Sequence, residues 1–417
     1  MRDPERQNKY GNSHTVSFPD FPSFTARPQY FTLTQKMGHH DVVELYYSAQ
    51  SSNMLTSLNT GVAVEVKWSN DVTNGVFIGY VSDIKAPSAF AIERYMKVVC
   101  VAASYPLKNR TSKVMRNVTA SEFATQMAID TGLKPIVTKS PVRYEQLSMS
   151  GHSTWEKLQE VALRSGYACH VYNAELHFHP IDEMINQFLT TMPVMSFSNS
   201  TLDPVSVFSS PTLEYFEPTQ GDFIEHSKNT RSIKVLGGVD PYTGKIFSAK
   251  ASPNSVGKQL RKNTKDALFS SVDTTTVVVG NNNAQNLADA KAHLSRLSMP
   301  ARGHGQGDPR IFPWATIEVR GTGDNSDGFW IITEATHVVG LDGKYTVEFH
   351  CATDGIGSNQ PSAVRPSSAG MVPVVDLSRA ITSGVTQKTS YKLTSASTMV
   401  NQSTTGYNVV PRRWVAA

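Results

Sequence analysis

Two stretches decide how this chain reads: Val64-Glu-Val-Lys-Trp-Ser-Asn-Asp-Val-Thr-Asn-Gly-Val-Phe-Ile78 and Ile317-Glu-Val-Arg-Gly-Thr-Gly-Asp-Asn-Ser-Asp-Gly-Phe-Trp-Ile331. The second lies 253 positions after the first and overlays it without a gap, with Glu65/Glu318, Val66/Val319, Asp71/Asp324, Gly75/Gly328 and Ile78/Ile331 identical. Each alternates apolar and polar residues, passes a polar turn ending in Gly, and resumes as an apolar run, which is the pattern of a β-hairpin. A further strand pattern follows each, Lys97–Val101 and Thr346–His350. A hairpin unit present twice implies two related β-domains in one chain and a quasi-symmetric architecture. On this reading Gly75 and Gly328 occupy equivalent hairpin positions.

Working outward, residues 14–106 carry strand patterns at Tyr30–Leu33, Val42–Tyr46, Val62–Trp68, Val76–Ile84 and Tyr95–Val101, which predict a first small β-barrel. Residues 107–182 change character. Thr119-Ala-Ser-Glu122 and Ser153-Thr-Trp-Glu156 are both capping boxes, in which the hydroxyl takes an orphan N–H and the Glu reaches back to the cap. The helices they open carry Phe123 and Met127, and Trp155, Leu158 and Ala162, and close at Gly132 and Gly166. A hairpin, Tyr167–Tyr172 and Glu175–His179 about a turn at Asn173-Ala174, completes an α+β insertion, a helix-helix-hairpin module. Residues 183–228 read as an extended connection. Residues 229–356 predict the second β-barrel, with a turn at Asp240-Pro-Tyr-Thr-Gly244 and a helix at 284–299 that shows Leu287, Ala290, Leu294 and Leu297 and is stopped by Pro300.

Residues 357–417 are Ser/Thr-rich, with one acid, Asp376, against six bases (Arg365, Arg379, Lys388, Lys392, Arg412 and Arg413). Such a composition does not offset its own ordering entropy, and an extended C-terminal assembly arm is expected. Arg412, Arg413 and Trp414 are residue types that dominate interface energetics, so they are the candidate partner-interface residues.

The chain has 417 residues, 39% hydrophobic and 18% charged, enough for several cores, and no apolar run reaches the roughly 18–20 residues of a membrane span. The charged start, Met-Arg-Asp-Pro-Glu-Arg, lacks an apolar leader, so secretion is not expected. Three widely spaced cysteines, Cys100, Cys169 and Cys351, each in a strand pattern, read as buried free thiols. A formal charge of +4 gives no argument for nucleic-acid binding.

Three local patterns stand in order along the chain: Ser150-Gly-His-Ser-Thr-Trp155 through Gly166 with Leu176-His-Phe-His-Pro180, the Asp240-Pro-Tyr-Thr-Gly-Lys245 hairpin, and the series of Ala290–Leu297, Gly303–Gly307 and Asp327-Gly-Phe-Trp330. Together they resemble the baseplate hub family of contractile phage tails, which includes late control protein D and is related to the N-terminal part of the type VI secretion spike VgrG. The resemblance covers residues 30–355 and implies two tail-tube-like barrels per chain and a homotrimeric ring with a central channel. Such a ring adapts the six-fold tail tube, or a tube-initiator protein, to a separate three-fold spike protein. It further implies other baseplate proteins as partners, DNA passing through the channel without sequence-specific binding, and a place in the virion tail. Two other readings share the scaffold: a tail-associated cell-wall hydrolase, which needs an added catalytic module, and the hub of a phage-derived bacteriocin or injection machine.

The chemistry in the chain is sparse. His170 pairs opposite His177 in the expected hairpin, with His179 two residues on along the same face, so either a metal site or ordinary strand histidines are open there. His39-His40 reads as a loop. Gly303-His-Gly-Gln-Gly307 lacks the Lys-Ser/Thr of a phosphate loop and reads as a flexible loop. Asp324-Asn-Ser-Asp327-Gly328 has the wrong spacing for a calcium loop and reads as a hairpin turn. No nucleophile motif is present, so no cofactor, no catalytic residue and no enzymatic activity are expected.

Overall fold

A computed structural model describes residues 13–359, apart from 23, 25, 49–57, 71–72, 86–94, 188–192, 198–210, 219–230, 241–242, 254–259, 264–266, 268, 277, 279 and 323–325, and then 391–395, 398–401 and 408–409. Strands β1 (Ser13–Ser17), β2 (Tyr30–Lys36), β3 (Val42–Ser48), β4 (Ala63–Ser69), β5 (Asn74–Lys85) and β6 (Tyr95–Ala102) form because every second residue finds a core. In β2 these are Phe31, Leu33 and Gln35, and in β3 Val43, Leu45 and Tyr47. They pair antiparallel in the order β1-β4-β5-β6-β3-β2 and curl around Phe31, Leu45, Val64, Trp68, Phe77, Val98 and Cys100.

The next unit runs β7 (Val114–Thr119), α1 (Ala120–Asp130), β8 (Lys134–Val137), β9 (Arg143–Ser148), α2 (Thr154–Ser165), β10 (Tyr167–Tyr172), β11 (Glu175–Pro180) and α3 (Ile181–Gln187). Both capping boxes are formed, with Thr119 and Ser153 accepting from the Glu122 and Glu156 N–H groups. Gly166 ends α2 in the left-handed conformation at φ 79°. Asn173 and Ala174, at φ 49° and 61°, make the tight turn between β10 and β11.

The rest comprises β12 (Val194–Phe197), β13 (Thr212–Pro218), β14 (Arg231–Val239), β15 (Ile246–Ala251), β16 (Arg261–Asn263), β17 (Phe269–Asp273), α4 (Asn281–Arg296), β18 (Met299–Gln306), β19 (Thr316–Arg320), β20 (Gly328–Gly340), β21 (Tyr345–Thr353) and β22 (Ile356–Asn359). Strands β12-β13-β18-β21-β20-β19 close into a six-stranded barrel, because β12 pairs with both β13 and β19. Its core holds Leu213, Ile317, Val319, Trp330, Ile332 and Phe349. Beyond it β23 (Tyr391–Ser395), β24 (Thr398–Asn401) and β25 (Asn408–Val409) pair with one another. Arg412, Arg413 and Trp414 lie outside the described residues. Among the described residues no helix is long and apolar enough to cross a membrane.

Five strands recur in the same chain order and the same sheet order: β4-β5-β6-β3-β2 corresponds to β19-β20-β21-β18-β13. The likeness extends to single bonds. Val81 N–H donates to Val62 O and its carbonyl accepts from Gly61, just as Ile332 N–H donates to Ala315 O and its carbonyl accepts from Trp314. Gly61 and Trp314 both have positive φ, 83° and 74°, so the second copy holds an indole-bearing residue in a conformation the first gives to glycine. Both copies carry a bulge, between Val81 and Asp83 and between Ile332 and Glu334.

The register corrects the ungapped overlay. Val64 pairs with Gly79 and Ile317 with Trp330, so the first strands keep the 253-residue offset. Val81 pairs with Cys100 and Ile332 with Cys351, so in the later strands the offset is 251. Gly75 and Gly328 are therefore not equivalent; Gly328 corresponds to Phe77, and Trp330 to Gly79. A slip of two residues leaves every side chain on its own face, which is why the apolar pattern survives it. Each barrel has one aromatic ring and one glycine at these two positions, in reversed order. The two glycines are constrained differently. A Cβ at Gly75 would lie 2.2 Å from Trp68 Cε2, and Trp68 is itself held by its N–H to the Tyr345 hydroxyl. Gly328 instead has φ +126°. Gly75→Val and Gly328→Val should each destabilise by about 1–3 kcal/mol, by overpacking and by backbone strain respectively. Urea titration of the two variants checks this, and wild-type midpoints for both would refute it.

Three other expectations change. The Gly303–Gly307 stretch is not a flexible loop: Gly303 to Gln306 form the end of β18, where a Cβ on Gly303 would meet the Phe349 ring at 2.3 Å and one on Gly305 the Thr212 carbonyl at 2.2 Å. Glycine is needed there because a ring and a backbone approach closely. The helix expected at 284–299 spans Asn281–Arg296, Pro300 lies inside β18, and Leu294 is exposed; Ala284, Leu287, Ala288 and Ala292 make the buried face against Ile233 and Val235. Residues 183–228, read as an extended connection, contribute β12 and β13 to the barrel.

Candidate assembly surface

The expected site residues can be placed one by one. His170 and His177 are opposite one another in β10 and β11, and His179 follows, all three buried. His179 shares a 2.8 Å hydrogen bond with Thr138 Oγ1, and His177 Nε2 lies 3.6 Å from Glu175. Burial, with the neighbouring His177 adding to it, pushes His170 down to about 3 and His179 down to about 4, so both are neutral at pH 7. Among the described residues no three His, Cys, Asp or Glu side chains come together so as to hold a metal ion. His39 and His40 lie in the turn between β2 and β3, and the three cysteines are buried thiols outside any disulfide. Asp324 lies outside the described residues, but Asp327 accepts from the Gly321 N–H, the Thr322 N–H and the Thr322 hydroxyl. That carboxylate closes a turn.

What the fold does build is a strand junction. The C-terminal half of β20 leaves β19 and pairs with β2, from Tyr30↔Gly340 to Lys36↔Glu334. One strand thus belongs to both barrel sheets. Lys36 and Glu334 make a 3.1 Å ion pair along it. A buried hydrogen-bond chain seals the junction: Trp68 Nε1–H donates to the Tyr345 hydroxyl at 3.0 Å, which meets His337 Nδ1 at 2.9 Å, and His337 Nε2 meets Ile311 O at 2.8 Å. The Ile311 carbonyl can only accept, so Nε2 carries the proton and Nδ1 accepts from the tyrosine. Burial pushes His337 down to about 4, which keeps the ring in the neutral form that this wiring requires. None of these residues was singled out in the sequence, because their pairing spans more than 230 positions between Trp68 and the other barrel.

Two strand edges of the same kind carry no partner among the described strands: β5 beyond Val81 on the side away from β6, and β13 beyond Leu213 on the side away from β18. Apolar side chains are also exposed on the small β15-β14-β17 sheet, where Val239 and Ile246 pair directly and are 57% and 62% exposed. Open edges and apolar tips are surfaces for macromolecular contact.

No family model matches the sequence, and no curated protein matches it. In fold the chain is similar to the tail protein from Neisseria meningitidis MC58, with a TM-score of 0.55, 12% identity and coverage of 83% of this chain and 98% of that one. It is equally similar to the 43 kDa tail protein of prophage MuSo2 from Shewanella oneidensis, with a TM-score of 0.55, 11% identity and coverage of 83% and 99%. The mainly β fold, with its six-stranded barrel and added α+β unit, is thus one found in phage tail proteins.

Proposed function

We propose that this chain is a non-catalytic structural subunit of a phage tail: a baseplate hub that assembles as a homotrimeric ring around a channel. The observation that carries the reading is the five-strand unit present twice, in the same order, in one chain. Three such chains supply six related barrels, which match a six-fold tail tube on one side while keeping three-fold symmetry for a spike on the other. DNA passes through the channel without sequence-specific contacts. The segment after residue 356, with Arg412, Arg413 and Trp414 at its end, serves as an arm for the spike or adjacent baseplate proteins.

Light scattering and negative-stain images of the purified protein should show a trimer with a central opening. A truncation after residue 356 should keep the trimer and lose co-purification with baseplate partners. A monomer or dimer at micromolar concentration in every condition tried would sink the ring.

A further inference from the structure

Charge is unevenly distributed along the chain. Residues 231–273 hold eight Lys and Arg against three Asp and no Glu, a net +5 where the whole chain carries +4. Strands β14, β15 and β17 of this stretch form the small sheet whose inner face, with Ile233, Val235 and Ala251, packs on α4. Alternation puts Lys234, Leu236, Ser248, Lys250, Ser270 and Val272 on the other face, where both lysines, both serines and Val272 are exposed.

Lys234 pairs directly with Lys250 on one side and with Val272 on the other. Like charges directly opposite one another in a strand pair are destabilising. The chain supplies nothing to offset this. Among the described residues neither lysine has an ion-pair partner. Asp273 turns to the inner face, to Lys291 and Thr276, and Asp240 accepts from the Thr243 hydroxyl in the hairpin turn. The segment after residue 356 is itself basic, so it does not supply the missing charge. Two copies set face to face would bring lysine against lysine.

We propose that this outer face docks an acidic face of a different tail protein, with carboxylates over Lys234 and Lys250 and apolar side chains over Leu236, Val272 and Ile246. This rests on the tail-subunit reading above. The apolar residues favour a protein over a nucleic acid: Val272 and Ile246 are 52% and 62% exposed, and a phosphate backbone has no apolar surface to cover them. The face also lacks the arginine forks and stacking rings on which nucleic-acid recognition draws.

Lysine reactivity reads this face directly. Acetylation of Lys234 and Lys250 by an N-hydroxysuccinimide ester is followed by mass spectrometry, in free full-length protein and in tail particles that contain the chain. Both lysines should react about tenfold more slowly in the particles, and a carbodiimide should join one of them to an Asp or Glu of another tail protein. Lys234→Glu replaces the like-charge pair by an ion pair, so the free protein should melt no lower than wild type. Its incorporation into tails should nonetheless fall about tenfold. Equal reactivity in both forms, or undiminished incorporation, overturns the surface and leaves the tail reading standing. Protection that disappears on nuclease treatment, or a cross-link to a second copy of this chain, overturns the proposed partner. Tail particles from which the chain is absent overturn the tail reading, and this surface with it.

Discussion

Asp354→Ala is expected to destabilise the protein by about 3–5 kcal/mol, because it takes from a buried guanidinium its nearest counter-ion. Arg296, at the end of α4, is 1% exposed and Asp354, after β21, is fully buried; their charged groups lie 3.3 Å apart. The same Asp354 oxygen accepts the Leu260 N–H at 2.8 Å, so the substitution also orphans a backbone donor. Arg296 further contacts His293 Nε2 at 3.1 Å, and His293 lies 3.5 Å from Asp182 of α3. The pair therefore ties α4 to the end of the barrel and to α3. Arg296→Met combined with Asp354→Leu should cost much less than Asp354→Ala alone, since no charge is then stranded. Thermal and urea unfolding of the three proteins decide it: a loss below about 1 kcal/mol for Asp354→Ala would mean the ion pair is not what holds α4.

Asp41→Asn should raise stability at pH 8 by on the order of 4 kcal/mol and add little at pH 4. Asp41 is buried at the start of β3; Gln35 Nε2 donates to one oxygen at 2.8 Å and the other has no hydrogen-bond partner. That oxygen's residue lines a small cavity with Tyr172 and Asn173, and Asn173 Oδ1 is likewise without a partner. Burial pushes Asp41 up to about 7, against a smaller opposing effect of the Gln35 bond. Between about 4 and 7 the folded state keeps the proton and the unfolded state has lost it. The contribution of Asp41 therefore falls as pH rises through that window and is least favourable above 7. An amide removes the penalty and offers Asn173 a donor. Denaturant titrations of both proteins at pH 4 and pH 8 compare the difference between them, which isolates Asp41 from the buried histidines. A difference that is the same at both pH values would count against the assignment.

What could be read without a structure was local or periodic. The two capping boxes are four-residue chemistry and form where the Thr/Ser and Glu spacing places them. The repeat was visible because alternation records the face of a strand, and faces survive a slip of two; for the same reason the overlay misassigned Gly75 and Gly328. The β18 glycines read as a loop because nothing nearby in the chain reveals that Phe349 and Thr212 press on them. The histidines of β10 and β11 share a face as the spacing requires, but convergence on a metal depends on ring directions that a hairpin pattern does not contain. The junction, the Arg296–Asp354 pair and the open edges each need residues brought from distant parts of the chain.

Strand β20 also sets how the molecule deforms. Because its first half is hydrogen-bonded into one barrel and its second half lies against β2 of the other, twisting one barrel against the other bends a single covalent strand and strains a buried hydrogen-bond chain at its side. Each chain thus behaves mechanically as a stiff dumbbell. In the proposed ring of three such chains the joints between molecules would be the compliant ones, so a widening channel would open at alternate seams and become trigonal, keeping six walls but dilating along only three directions.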